Sequence, residues 1–238
     1  MAIDNANVAL VAAQARLSEV QSRIRSACQS AGRDPRDVRL VAVSKRHPAA
    51  AIRVLYGLGQ REFGENYVQE LGDKLDELQD LPDLRMRCIG HVQRNKVKRV
   101  VGFRCAVDTI DSLAHARAFS DRAVELGCQV EGLLQVNVGR EPQKAGLLPE
   151  ALPELLAAAG ALPGLRIRGL MTLPPATAEP QERAPYFAEL ADLARVHGLA
   201  ELSMGMSDDL EVAIAHGATM VRIGTALFGA RPPTNGPA

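Results

Sequence analysis

The chain predicts a closed (β/α)8 barrel of the TIM type with one extra helix in front of it, and three observations carry that prediction. Short apolar runs alternate strictly with segments of helical period, which is the pattern of parallel strands returned by crossover helices. The runs number eight, the count that closes a barrel rather than leaving an open doubly wound sheet. Nearly every run ends on a polar residue or a glycine while its body is apolar. A barrel carrying its site at the C-terminal strand ends would produce this.

Taken in order, the extra helix comes first. Leu17, Val20, Ile24, Ala27 or Cys28, and Ala31 keep helical spacing, and Gly32 followed by Asp34-Pro35 stops it. Strands are predicted near 39–44, 61–64, 85–89, 104–108, 131–137, 165–171, 201–204 and 219–223. Helices are predicted near 48–58, 66–80, 93–101, 112–126, 149–160, 181–197 and 208–216. Pro48, Gly127, Pro149, Gly164 and Gly217 punctuate them. No shift in composition marks a second domain, so residues 1–230 are read as one barrel domain and the Pro/Gly-rich stretch 231–238 as a frayed tail.

Composition narrows the function. The chain has 238 residues, 47% of them apolar, with 28 basic and 28 acidic side chains. That balance provides no field to steer it to nucleic acid or to an anionic membrane. No apolar stretch is long enough for a membrane span. The opening Met1-Ala2-Ile3-Asp4-Asn5 lacks the character of a signal peptide, so a cytoplasmic protein is expected. Cys28, Cys88, Cys105 and Cys128 lie far apart, which argues against a metal site or a disulfide framework and for small core residues.

The strand ends carry the chemistry. Leu40-Val41-Ala42-Val43-Ser44-Lys45 is an apolar run ending on an amine. Lys45 would emerge at the barrel mouth, where partial desolvation favours the neutral amine that attacks an aldehyde. Its plain alternative is a lysine snorkelling after a core strand. Ser203-Met204-Gly205-Met206-Ser207 and Arg222-Ile223-Gly224-Thr225 are successive strand tips. Free backbone N–H groups, close approach at glycine and a hydroxyl at each tip make Met206, Ser207, Gly224 and Thr225 a candidate phosphate cup. The alternative is that Ser207 simply caps a helix. Asp208 and Asp209 sit awkwardly beside a dianion and are expected to turn back into solvent. Arg222 alternates onto the same side as Gly224, facing inward, where it needs an acceptor such as a pyridine nitrogen or a structural ion pair. An arginine at that nitrogen would keep it unprotonated. A phosphate cup facing a strand-end lysine points to a cofactor bearing both a phosphate and an aldehyde.

Asn66, His91, Gln93 and Asn95 are further hydrogen-bonding candidates, with His91 the obvious acid–base group and Lys144, near Glu141, a second amine. Arg94, Lys96, Lys98 and Arg99 read as a solvated helix face, since a nucleic-acid patch would want interleaved aromatics and the chain has three Tyr, five Phe and no Trp.

With these residues assembled, the sequence resembles the pyridoxal phosphate homeostasis protein family, which is similar to the barrel domain of alanine racemase. The matching stretches are V-A-V-S-K at 41–45, F-G-E-N-Y at 63–67 and I-G-H-V-Q-R-N-K at 89–96, then G-L-M-T at 169–172, S-M-G-M-S-D-D at 203–209 and V-R-I-G-T-A-L-F-G at 221–229. They run in order over nearly the whole chain. The resemblance implies an alanine racemase N-terminal-domain-like barrel with pyridoxal 5′-phosphate as a Schiff base on Lys45. It also implies phosphate contacts from Met206, Ser207, Gly224 and Thr225, Arg222 at the pyridine nitrogen, and Asn66 near the cofactor. Racemases of that fold bring a tyrosine base from a second, all-β domain. The 238 residues hold no counterpart, and Tyr56, Tyr67 and Tyr186 fall in helical segments. A cofactor holder with little or no turnover is therefore expected, a cytoplasmic monomer acting in pyridoxal phosphate homeostasis with apo-enzymes as candidate recipients. The competing expectation is a pyridoxal phosphate enzyme, a weak racemase or lyase, using a second base such as His91.

Overall fold

The computed structural model describes residues 2–176 and 179–229, with side chains described from residue 7 onward. Helix α1 (Ala2–Ser30) precedes the repeat and stops before Gly32, whose φ of +65° is one that glycine adopts most easily at a helix end. Strand β1 (Arg39–Val43) leads to α2 (Ala49–Gly57), and β2 (Glu62–Glu65) to α3 (Val68–Glu77). Next come β3 (Arg85–Cys88) with α4 (Val97–Gly102) and β4 (Ala106–Ile110) with α5 (Leu113–Glu125). Strand β5 (Val130–Gln135) is followed by α6 (Leu152–Ala159), and β6 (Leu165–Met171) by α7 (Ala184–Val196). The repeat ends with β7 (Glu201–Ser203), α8 (Leu210–Ala215), β8 (Met220–Ile223) and α9 (Thr225–Phe228). Each strand pairs in parallel with the next, and β8 returns to β1 with Ala42 opposite Ile223, so the sheet closes. The predicted (β/α)8 barrel is the observed one; the predicted tail 231–238 lies outside the described residues.

Strand alternation divides the side chains into two sets. Ala42, Phe63, Cys88, Val107, Leu134, Leu170 and Val221 face outward and merge with the apolar faces of the helices in one large core. Inside the barrel, Val41, Leu133, Met171 and Met220 form a small separate cluster. The remaining interior is ionic. Buried Arg87 donates to Asp108 Oδ1 at 2.7 Å and to Glu62 Oε1 at 2.8 Å, and Arg39 reaches Glu201 at 2.9 Å. Burial disfavours the Arg87 charge, and Asp108 and Glu62 more than offset that, raising its pKa above the ordinary value.

Several predicted boundaries shift. Strand β4 begins at Ala106 rather than 104, because Arg104 takes a left-handed φ of +55° in the preceding turn. Asp108 is consequently mid-strand inside the barrel and not at the mouth. The helix predicted at 93–101 is a 3-10 turn, Arg94–Lys96, running into α4. Helix α9 is unpredicted, being too short to show a period. Cys28, Cys88 and Cys105 are buried free thiols as expected, and burial pushes the last two up to about 12. Cys128 is half-buried at the core's edge. None of the described helices is long and apolar enough to cross a membrane.

Candidate functional site

At the C-terminal ends of β1, β2, β7 and β8 lies a cavity of about 410 Å³. Lys45, Asn66, Met206, Ser207, Arg222, Gly224 and Thr225 all line it, so the structure brings the residues predicted to hold the cofactor into one place. Val43, Ile89 and Leu173 supply an apolar wall. Sheet closure explains the convergence: β8 neighbours β1, which sets Thr225 beside the segment carrying Lys45.

Lys45 is half-buried and sits in a turn held on both flanks. The ammonium of Lys74, on α3, donates to the Ser44 carbonyl at 2.8 Å, and Glu70 Oε1 accepts the Arg46 N–H at 2.6 Å. Lys74 also pairs with Glu70 at 2.8 Å and with Glu65, which in turn accepts from the Ser44 hydroxyl at 2.7 Å. Arg46 itself is left-handed at φ +63°, a conformation costly for a residue with a Cβ and kept here by that clamp. Burial raises the Glu65 carboxyl above its ordinary range, with Lys74 and Ser44 working against it. Asn66 is set by close backbone packing: a Cβ on Gly90 would stand 2.1 Å from the Asn66 carbonyl oxygen.

On β8, Arg222 is 5% exposed and donates from Nη1 to Ser203 Oγ and from Nη2 to the Thr172 carbonyl, each at 2.8 Å. Among the described residues no carboxylate is bonded to it. Desolvation therefore lowers its pKa against the weaker pull of Asp108 and Asp209. The structural ion pair considered for Arg222 is made by Arg87 instead, and Nε of Arg222 has no acceptor among the described residues.

The turn after β7 corrects one expectation. Asp208 is exposed at the rim, but Asp209 is fully buried. Its Oδ1 accepts the Met206 N–H at 2.6 Å and its Oδ2 pairs with Arg183 at 2.7 Å. The carboxylate braces the turn from behind and does not oppose an anion in the cavity. The backbone N–H groups of Ser207, Asp208, Gly224 and Thr225 have no acceptor among the described residues. With Lys45 and Arg222 set against a single exposed carboxylate, the lining suits a small dianion.

The structure adds a residue that sequence reasoning missed. His47 is buried, lines the cavity, and stacks on Phe228 of α9 with centroids 4.9 Å apart. Its spacing of two from Lys45 was the available signal. His91 does not line the cavity; it is exposed, 3.6 Å from Asp111. Gln93 and Asn95 are also absent from the lining. Lys144 is bound to Glu141 at 2.6 Å and to the Pro174 carbonyl at 2.9 Å, outside the cavity. Tyr56, Tyr67 and Tyr186 do not line it either.

A closed parallel barrel with an amine at its first strand end and glycine–hydroxyl turns at its last two is the class defined by the alanine racemase N-terminal domain, whose family model matches residues 15–232. Over 217 residues the chain is 49% identical with the pyridoxal phosphate homeostasis protein of Pseudomonas aeruginosa, covering 90% of this chain and 94% of that one. The chain belongs to the pyridoxal phosphate homeostasis protein family. Among solved structures, PipY of Synechococcus elongatus, determined with pyridoxal phosphate bound, superposes with a TM-score of 0.80 at 40% identity, covering 91% of this chain and 100% of that one. Alanine racemase of Clostridium difficile, 17% identical with a TM-score of 0.69 over 89% of this chain and 56% of its own, shares the barrel fold.

Proposed function

We propose that this protein holds pyridoxal 5′-phosphate at its barrel mouth and acts in the homeostasis of that cofactor, with little or no turnover of its own. The observation that carries the reading is one cavity in which an amine, a buried guanidinium and the unpartnered N–H groups of two turns converge. The residues fit the group. The N–H groups and hydroxyls of Ser207 and Thr225, with Gly224 and the Met206 turn, would hold the phosphate. Lys45 is the amine its aldehyde would engage covalently, Arg222 would face the pyridine nitrogen, and Asn66 would flank the ring. When bound, the cofactor supplies a reactive aldehyde carbon and an electron-withdrawing ring. The naming of relatives as homeostasis proteins and a relative's structure with pyridoxal phosphate bound support the same reading.

The chain's own residues argue for holding over turnover. Arg222 cannot give up a proton, so it can only donate to the ring nitrogen and keeps that atom unprotonated. Racemisation needs acid–base groups on two faces. His47 is the observation that favours an enzyme, yet it leaves the same turn as Lys45 and is stacked on Phe228, so both groups approach from one side. The reading expects a cytoplasmic monomer whose recipients are apo-enzymes that use the cofactor.

Borohydride reduction of the purified protein, followed by peptide mapping, tests the site. The adduct is expected on Lys45 and absent in Lys45→Ala; a stoichiometric adduct on Lys144 or another lysine overturns the assignment. A panel of amino acids tests the activity, and turnover above about 1 s⁻¹, the low end for enzymes, revives the enzyme reading.

A further inference from the structure

Helix α1 and the turn after it stand outside the eightfold repeat, yet their arginines reach the backbone that follows the last two strands. Arg16 Nε donates to the Leu227 carbonyl at 2.7 Å, Arg33 Nη1 to the Ile214 carbonyl at 2.7 Å, and Arg23 Nη2 to the Ser207 carbonyl at 2.8 Å. Of these, Arg23 touches a turn that lines the cavity. Its guanidinium is oriented by a two-point pairing with Glu211 of α8, Nε to Oε1 at 2.6 Å and Nη2 to Oε2 at 2.9 Å.

Peptide geometry gives this contact a consequence on the other side of the turn. The described chain has no cis peptide bonds, and in a trans peptide the C=O and the following N–H point in opposite directions. With the Ser207 carbonyl drawn to α1, the Asp208 N–H is turned away from α1. Residues of α1 do not line the cavity, whereas Ser207 and Asp208 do. That N–H has no acceptor among the described residues. The turn is closed by the Asp209 N–H on the Met206 carbonyl at 3.2 Å, and turning over its central Ser207–Asp208 peptide would present an oxygen where the donor had been. The pair with Glu211 alone does not account for the arrangement, because a partly exposed ion pair contributes little; the carbonyl contact is what couples α1 to the cavity.

We infer that Arg23 is a positioning residue: it fixes the Ser207–Asp208 peptide with its N–H toward the cavity and so sets the preference for a phosphorylated ligand over its unphosphorylated counterpart. This rests on the reading of the β7 and β8 turns as a phosphate cup. It assigns to the extra helix a role in ligand selection beyond covering α8 and α9.

The test is the ratio of affinities for pyridoxal phosphate and pyridoxal, titrated into the full chain by visible absorbance, with melting temperature recorded alongside. Arg23→Met is expected to weaken pyridoxal phosphate about tenfold, the scale of one charge-assisted hydrogen bond, with pyridoxal nearly unchanged. Arg23→Lys, which keeps a donor, should restore most of the ratio, and Glu211→Gln, which spares the carbonyl contact, should leave it near wild type. Equal weakening of both ligands by Arg23→Met, or a lower melting temperature with an unchanged ratio, makes Arg23 a structural clamp only and overturns the inference. If Arg23→Met does not fold, the Arg23→Lys and Glu211→Gln ratios decide, and a collapse of the ratio in Glu211→Gln overturns it. The control Ser207→Ala/Thr225→Ala separates the two levels. If it too fails to discriminate the ligands, the phosphate cup is wrong; if it discriminates and Arg23→Met does not, only the role of Arg23 falls.

Discussion

Replacing Lys74 by Met would remove a buried ammonium and keep a side chain of similar length. In the native protein that ammonium donates to Glu65, Glu70 and the Ser44 carbonyl, with 5% of the side chain exposed. Glu65, fully buried, would then hold its charge against the Ser44 hydroxyl alone. Stranding one member of a buried pair costs about 3–5 kcal/mol. At ~2–4 °C per kcal/mol for a chain of this size, the melting temperature should fall by roughly 6–20 °C. The pH dependence has a definite sign. Burial already raises the Glu65 carboxyl and Lys74 opposes it, so losing Lys74 raises it further. A carboxyl raised in the folded state contributes stability that is fully present below its unfolded pKa, about 4.3, and lost as pH rises through the folded value. The deficit of Lys74→Met should therefore widen from acid to alkaline pH. Urea melts at several pH values between 5 and 8 measure it. A variant as stable as wild type at pH 8, or a deficit that does not change with pH, refutes the reasoning. Adding Glu65→Gln should recover part of the loss, because the stranded charge is then gone.

Other expectations follow from single contacts. Arg87→Met strands Asp108 and leaves Glu62 only Arg39, at 3.5 Å, and should destabilise more than Arg222→Met, whose partners are a hydroxyl and a carbonyl; denaturant midpoints in the reverse order would contradict the ionic interior described. Gly90→Ala pushes a methyl into the Asn66 backbone and should cost about 1–3 kcal/mol with weakened cofactor binding. Gly57→Ala, at the end of α2 with nothing within 4 Å of the new Cβ, should instead stabilise by about 0.4–1 kcal/mol, which thermal melts can resolve. Ser207→Ala/Thr225→Ala should weaken pyridoxal phosphate by ~1.5–3 kcal/mol for each charged hydrogen bond at most, and pyridoxal far less, by the same absorbance titration.

The barrel was legible because each strand is bounded by breakers and ends on a residue type unlike its body. Arg222 and Gly224 were legible for a related reason, since alternation fixes which side of a strand a residue faces and carries to its tip, and Lys45 was legible from the apolar run that ends on it. It does not carry into turns. His47 lies past the end of β1, where its direction depends on Arg46 adopting a left-handed φ, and no period reports that. Asp209 was misread because the partner that draws it inward, Arg183, is 26 residues away across another loop. The ionic interior shows the same limit. Arg85-Met86-Arg87-Cys88 displays the alternation on its face, but that Arg87 meets Glu62 and Asp108 is a matter of register between three strands.

The placement of polar groups around the mouth bears on what the site can do. The lining amine and the phosphate-type turns all belong to the seam where β7, β8 and β1 meet, neighbouring strands about 4.8 Å apart. On the far side the polar strand ends are consumed by the fold. Thr109 donates its hydroxyl to the Gly90 carbonyl at 2.7 Å, Thr172 donates to the Val136 carbonyl at 2.8 Å, and Asn137 holds the loop through the Glu141 carbonyl at 2.8 Å. A ligand anchored at the seam would therefore meet Lys45, the turn N–H groups and the His47 imidazole there. Ile89 and Leu173, which also line the cavity, carry no proton donor or acceptor on their side chains, and Asn66, after β2, adds an amide. Stereochemical proton transfer requires groups on both faces, whereas exchange of an aldehyde between amines requires one amine and access for another. An amine at the seam, with Leu173 and Met206 exposed at the rim, meets the second requirement, which is the physical ground for the proposal that the site holds and hands over a cofactor.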